Sequence, residues 1–218
     1  MPAEPQPPAH PPVPGVAGEH DHYFTADPAS AAERRTLDVR LADREVTVHT
    51  AAGVFSAGGI DLGTEVLLRT VPAPPPTGTL LDLGCGWGPL ALTMALRSPC
   101  ADVWAVDVNR RAVDLLGRTA HGLDLDRLTA TTPDGVPADL RFDVLWSNPP
   151  IRIGKAELHA LLAHWLGRLA PGGTAWLVVQ RHLGADSLQR WIAAELGLRV
   201  DRAASAKGFR VLEVGAAD

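Results

Sequence analysis

The sequence predicts an α/β fold: a mostly parallel sheet of seven strands with helices on both faces, closed at one edge by an antiparallel C-terminal hairpin strand and preceded by a short N-terminal hairpin. Three observations carry this expectation. Between residues 79 and 196 short apolar runs alternate with stretches of helical length, and strand–helix alternation builds parallel sheets. Two closing apolar runs, 199–203 and 209–214, stand around Ala206-Lys207-Gly208 with no helix between them, which is a hairpin pattern. Near the start, 37–41 and 45–49 alternate apolar and polar residues around Ala42-Asp43-Arg44, a second hairpin.

The elements follow in order. Residues 53–63 read as a glycine-rich loop carrying Val54, Phe55 and Ile60. A short helix over 64–71 is stopped by Pro72 and the proline run at 74–76. Strands are expected at 79–83, 103–107, 128–132, 142–146 and 175–180. Helices fit 89–97, 110–120, 155–169 and 186–196. Pro171-Gly172-Gly173 ends the third of these and turns the chain into the next strand.

With 218 residues, 46% of them hydrophobic, the chain can build one α/β domain with small appendages. Residues 1–22 are expected to be a disordered proline-rich tail. The first 18 hold seven prolines and almost no apolar bulk, too little burial to offset the entropy of ordering. His20-Asp21-His22 resembles a metal clip, but beside such a tail it reads as a solvated run, and no metal is expected. The rest, 23–218, is read as one domain: hairpin and loop over 36–63, catalytic core over 64–218.

The net charge of −5 and pI near 5.9 argue against a general polyanion binder, whose affinity rests on many cationic contacts. An enzyme with a local basic face remains compatible. Cys85 and Cys100 form no CxxC pair, which fits a reducing compartment. No run of about 18 apolar residues offers a membrane span, and the N-terminus lacks a signal peptide's basic and apolar regions. A cytoplasmic protein is expected.

Two segments carry the chemistry. Asp82-x-Gly84-x-Gly86-x-Gly88 lies between a strand and a helix, where glycines let the backbone turn tightly and approach a ligand. The spacing departs from the GxGxxG of dinucleotide loops, and Pro89 follows, which disfavours a nicotinamide cofactor. The loop suits the carboxylate and sulfonium end of S-adenosylmethionine; the competing reading is an ordinary strand-to-helix turn. Asp107, at the end of the next strand, can accept from both hydroxyls of a ribose, or cap the helix near Asn109. Trp87 either covers the ligand or packs the helix start.

Asn148-Pro149-Pro150 follows the strand at 142–146. Proline neither continues a central strand nor donates an N–H, so the chain must turn there. The Asn148 side-chain oxygen and the Pro149 carbonyl can each accept one N–H of a planar NH2 group, drawing that nitrogen toward tetrahedral and aiming its lone pair at a methyl donor. Ligands of open parallel sheets bind at the carboxyl ends of strands where the strand order reverses. If the first and fourth core strands are neighbours there, the glycine loop and Asn148, 64 residues past Gly84, meet across one crevice. No HExxH, GxSxG or phosphate-loop pattern is present.

At these residues the chain resembles class I S-adenosylmethionine-dependent methyltransferases, with their Rossmann-like fold. More narrowly, it is similar to the small-domain relatives of the ribosomal RNA small subunit methyltransferase C family, which form N2-methylguanosine in 16S rRNA. The resemblance covers about 23–214. It rests on His22-Tyr23-Phe24, Gly53-Val54-Phe55-Ser56, Ile60-Asp61-x-Gly63-Thr64, the glycine loop, Asn148-Pro149-Pro150 and Lys207-Gly208-Phe209-Arg210-Val211. It implies S-adenosylmethionine as cofactor, held by Asp61, Gly63, Asp82, Gly84, Gly86, Gly88, Asp107 and Asn148, and RNA, 16S rRNA or the small ribosomal subunit, as partner. For Asp61 a helix cap competes. Asp134 is the nearest candidate for the adenine-contacting acid, with a turn-forming role as the alternative.

Three departures stand out. The full family proteins carry a second, N-terminal methyltransferase-like domain, which this sequence lacks. Ile151 stands where an aromatic residue commonly stacks on a flipped base, so Phe209 or Phe24 would have to supply the ring. The adenine acid is not a clear motif. Arg152, Lys155, Lys207 and Arg210 can form a basic rim for a phosphate backbone or simply a solvated face. The leading expectation is a guanine N2-methyltransferase. A protein glutamine, DNA adenine or small amine as acceptor, a non-enzymatic RNA-binding scaffold, and a nicotinamide-dependent oxidoreductase are the competing ones.

Overall fold

A computed structural model describes residues 34–216. The proline-rich tail, the His20-Asp21-His22 run and Tyr23-Phe24 lie outside the described residues. Nine strands and five α-helices follow in the order β1 (Arg34–Leu41), β2 (Arg44–Ala51), α1 (Leu62–Thr70), β3 (Thr79–Leu83), α2 (Pro89–Arg97), β4 (Asp102–Val106), α3 (Arg110–Gly122), β5 (Leu128–Thr131), β6 (Phe142–Ser147), α4 (Lys155–Leu166), β7 (Leu169–Gln180), α5 (Ala185–Leu196), β8 (Arg199–Ala206) and β9 (Phe209–Gly215).

The main sheet runs β5-β4-β3-β6-β7-β9-β8. Strands β3 to β7 pair in parallel, and β9 inserts antiparallel between β7 and β8. The order reverses between β3 and β6, as expected. Helices α1, α2 and α3, with the β1–β2 hairpin, cover one face through Leu67, Leu90, Leu115 and Val48. Helices α4 and α5 cover the other through Leu162, Trp165, Leu188 and Ile192. No helix among the described residues is long and apolar enough to cross a membrane.

Both hairpins turn on two residues with positive φ. These are Ala42 and Asp43 between β1 and β2, and Lys207 and Gly208 between β8 and β9. Such turns match the right-handed twist of the strands they join. The second turn places Phe209, the first residue of β9, opposite Gln180, the last of β7.

The structure corrects the expected end of α4. The helix stops at Leu166 rather than 169, and β7 begins at Leu169 rather than 175. Arg168 explains both. Its guanidinium donates to the carbonyls of Pro137 and Leu140 and lies against the Phe142 and Trp165 rings. Its own carbonyl accepts from the Phe142 N–H at 2.9 Å. The chain therefore leaves the helix early to pair with β6, and Pro171-Gly172-Gly173 falls where that pairing shifts register. Helix α1 starts two residues early, at Leu62, because Asp61 caps it.

Candidate active site

The glycine loop follows β3. Gly84, Gly86 and Gly88 all have positive φ, between 54° and 95°, a region that costs other residues energy. At Gly88 there is also no room: an added Cβ would lie 2.3 Å from a Leu116 methyl. Gly84 and Cys85 donate their N–H groups to the Val106 carbonyl, which ties the loop to β4. Trp87 is buried and donates to the Ser56 carbonyl at 3.1 Å, so it packs the loop rather than covering a ligand.

Asp82 lies under this loop, 1% exposed. Its Oδ2 accepts from the Ala91 N–H in the first turn of α2, while Oδ1 is buried without a hydrogen-bond partner among the described residues. Burial pushes its carboxyl up to about 8; the Ala91 N–H works against that shift and the nearby charge of Asp107 adds to it. Asp107 receives the Gly86 N–H at 2.8 Å and the Asn109 N–H at 2.9 Å. Burial raises its carboxyl too, opposed by those N–H groups. Capping of α3 falls to Asn109, whose side chain accepts from the N–H groups of Arg111 and Ala112. Asp107 thus stays on the open side of the loop.

A cleft of about 320 Å³ opens over the carboxyl ends of the strands. One half is walled by Gly84, Val106, Asp107, Val108 and Pro133; the other by Asn148, Pro149, Pro150, Ile151, Arg152, Gln180 and Phe209, with Phe55 and Asp61 also on the wall. The two halves meet where expected. A Cβ added to Gly84 would stand 4.0 Å from the Asn148 carbonyl oxygen. The Ser147 hydroxyl, donating to the Leu83 carbonyl at 2.7 Å, stitches the ends of β6 and β3 together.

Asp61 links the halves. Its Oδ2 accepts the N–H groups of Gly63 (2.8 Å) and Thr64 (3.2 Å), capping α1. The same oxygen accepts from Asn148 Nδ2 at 2.9 Å, and Nδ2 also lies 3.1 Å from Thr64 Oγ1. So the cap reading of Asp61 holds, and its carboxylate lies on the cleft as well.

Other expected site residues fall elsewhere. Gly63 lies beneath the Phe209 ring and not on the cleft wall. Gly86 and Gly88 shape the loop from behind. Asp134 is exposed and off the wall; the Thr132 hydroxyl holds its carboxyl below the usual range, and its neighbour Pro133 takes the wall position. Lys155 is exposed at the head of α4, outside the cleft. The four-residue basic rim is broken up. Lys207 faces Glu65 at 3.6 Å and Arg210 pairs with Asp186, leaving Arg152 on the cleft. Sequence reading missed Val108, Gln180, Leu161, Trp165 and Leu183 on the wall. Their one legible signal was a place at or just beyond a strand end; Leu161 and Trp165, within α4, had none.

The residues fit S-adenosylmethionine: an open glycine turn, a strand-end carboxylate beside it, and apolar walls at Val106, Val108 and Pro133, while Asp82 lies beneath the loop and off the cleft wall. Fold and cleft together define a class I S-adenosylmethionine-dependent methyltransferase. The chain belongs to the methyltransferase small domain family, which it matches over residues 45–213. It is 31% identical over 170 residues to the uncharacterized protein YbxB of Bacillus subtilis (strain 168), covering 77% of this chain and 85% of that one. It is 37% identical over 175 residues to the ribosomal RNA small subunit methyltransferase C of Pseudomonas aeruginosa (strain LESB58), covering 73% and 52%. Among solved structures, the T. thermophilus 16S rRNA N2 methyltransferase RsmC, in complex with AdoMet and guanosine, superposes with a TM-score of 0.71 at 25% identity. That match covers 87% of this chain and 52% of the other. The chain thus spans about half the length of the methyltransferase C proteins it matches.

Proposed function

We propose that this protein methylates the exocyclic N2 of a guanine in RNA, with 16S rRNA or the small ribosomal subunit as the target and the cytoplasm as the setting. One observation carries the reading: Asn148-Pro149-Pro150 forms the wall of the same cleft whose other half is the glycine loop and Asp107. S-adenosylmethionine supplies an electrophilic methyl group. The rest is done by this chain's own groups.

Asp107 accepts from the ribose hydroxyls, and Gly84 lets the backbone lie close to the methionine part. Asn148 Oδ1 and the Pro149 carbonyl accept the two N–H bonds of the acceptor amine. Held so, the nitrogen's lone pair points along the line of transfer, and both acceptors favour the positive charge that grows on it. Phe209 offers a ring face for a base, as Ile151 cannot, and Arg152 stands at the rim for a phosphate. The relatives named for rRNA methylation support RNA over other acceptors.

The test is labelled methyl transfer to rRNA from cells lacking the gene, followed by nucleoside mass spectrometry. N2-methylguanosine in small-subunit RNA is expected. Label confined to protein, or to adenosine, would replace this reading with a glutamine or adenine acceptor.

A further inference from the structure

We infer that Asp61 and Thr64 are positioning residues that fix which pole of the Asn148 amide meets the methyl acceptor. The inference rests on the proposed reading of Asn148 as the group that receives the acceptor nitrogen. An asparagine amide can rotate by half a turn about its last torsion at little intrinsic cost. Turned one way it offers an acceptor oxygen; turned the other, an NH2 group, which repels an incoming NH2 rather than binding it.

The partners settle the choice. The Asp61 carboxylate caps α1, accepts three N–H groups at one oxygen and, when ionised, has none to give. The amide must therefore face it with nitrogen. Thr64 Oγ1, on a residue 3% exposed, stands 3.1 Å from the same nitrogen. Both N–H bonds of Nδ2 are spent, and Oδ1 is the pole left for a ligand. The bond to a carboxylate is charge-assisted, so it is stronger than a neutral one, and it polarises the amide toward a more negative oxygen. That is the polarity a nitrogen acquiring positive charge requires.

Both partners are placed by one feature. Asp61 is the cap of α1, and Thr64 lies three residues on in its first turn. Helix α1 thus keys the loop after β6 from 87 residues away in sequence.

Asp61→Asn tests the idea, since asparagine caps helices as well as aspartate does but can hold the Asn148 amide either way round. Expected is a fall in kcat for RNA methylation of about tenfold or more, with KM for S-adenosylmethionine within about twofold. Thr64→Val should lower kcat several-fold and Thr64→Ser should restore it. A second readout needs no acceptor. The chain holds two asparagines, Asn109 and Asn148, so isotope-labelled asparagine gives two side-chain NH2 signals by NMR. The pair lost in Asn148→Ala should shift and exchange faster with water in Asp61→Asn and Thr64→Val, but not in Thr64→Ser. Unmoved signals would overturn the inference. So would a raised KM for the cofactor at unchanged kcat, which would make Asp61 a cofactor ligand. If Asn148→Ala itself keeps full turnover, the reading of Asn148 fails and this inference with it; if only the Asp61 and Thr64 variants keep it, the positioning role alone fails.

Discussion

The Phe209 ring rests directly on Gly63, so that a methyl group there would stand 2.8 Å from Phe209 Cε1. The same methyl would lie 2.9 Å from Asp61 Oδ2. Gly63 is therefore a spacer: it lets the Phe209 ring of β9 approach the first turn of α1 closely at the edge of the cleft.

Gly63→Ala should consequently separate stability from activity. Alanine in a helix gains about 1 kcal/mol over glycine, while crowding into packed surroundings costs roughly 1–3 kcal/mol. The melting temperature should change little, because the ring can swing into the cleft. Methyl transfer should fall by about tenfold, the equivalent of roughly 1.4 kcal/mol. Full activity would show that Phe209 does not form the acceptor wall.

Asn148→Ala should leave the fold and cofactor affinity nearly intact and reduce methyl transfer by on the order of a hundredfold, the cost of removing a positioned hydrogen-bonding group from a transition state. Calorimetry with S-adenosylhomocysteine beside turnover on one preparation decides it. A joint loss of thermal stability and cofactor binding, at unchanged turnover per folded molecule, would make Asn148 a structural tie.

Asp107→Ala should weaken cofactor binding by roughly 1–3 kcal/mol, the scale of hydrogen bonds to a charged group. Part of the loss reflects a looser glycine loop, since the Gly86 N–H loses its acceptor. Unchanged affinity in a titration would move the ribose contact elsewhere.

Asp82 makes stability depend on pH in a stated direction. Its folded carboxyl titrates near 8 against an ordinary value of 3.8, so the native state holds a proton there that the unfolded chain releases. That contribution is fully present below about pH 4, declines as pH rises, and is gone above about 8. Asp82→Asn mimics the neutral form at every pH. The melting temperature of wild type relative to this variant should therefore fall steadily from pH 5 to pH 8. A constant difference would mean that Asp82 is ionised throughout.

The two thiols should react unequally. Cys100 is exposed, whereas Cys85 is buried in the glycine loop, with burial and the charges of Asp107 and Asp82 pushing its thiol up. Thiolate is the reactive form. Mass spectrometry after brief alkylation at neutral pH should find one adduct, on Cys100. Equal labelling would indicate that the loop opens readily.

Much of this was legible in the sequence for a local reason. Strand–helix alternation, the glycine spacing and the Asn148-Pro149-Pro150 turn are properties of short segments, and the expected bounds of β3 and α2 match the structure residue for residue. What escaped depends on contacts between distant segments. Nothing near Arg168 announces that carbonyls at 137 and 140 will hold it and end α4 early. Gln180 reaches the cleft because β7 runs parallel to β6 and ends on the same side of the sheet, a pairing between segments distant in sequence. Asp61 could be read as a cap from its own neighbourhood and as a cofactor ligand from the family resemblance; its bond to Asn148 exists only in three dimensions. The partners of two of the four basic residues were hidden likewise, because Glu65 and Asp186 are far from Lys207 and Arg210 in sequence.

The position of β9 also bears on how the molecule comes together as it is synthesised. Among the described residues strand β8 pairs with β9 alone, yet it leaves the ribosome first. It must wait with its hydrogen-bonding edge unmatched until the following segment emerges and slides between it and β7. The ring that completes the cleft arrives on that same segment. A nascent chain can therefore expose its glycine loop and Asn148 turn before Phe209 has been made, so the cleft wall is complete only once this hairpin has closed.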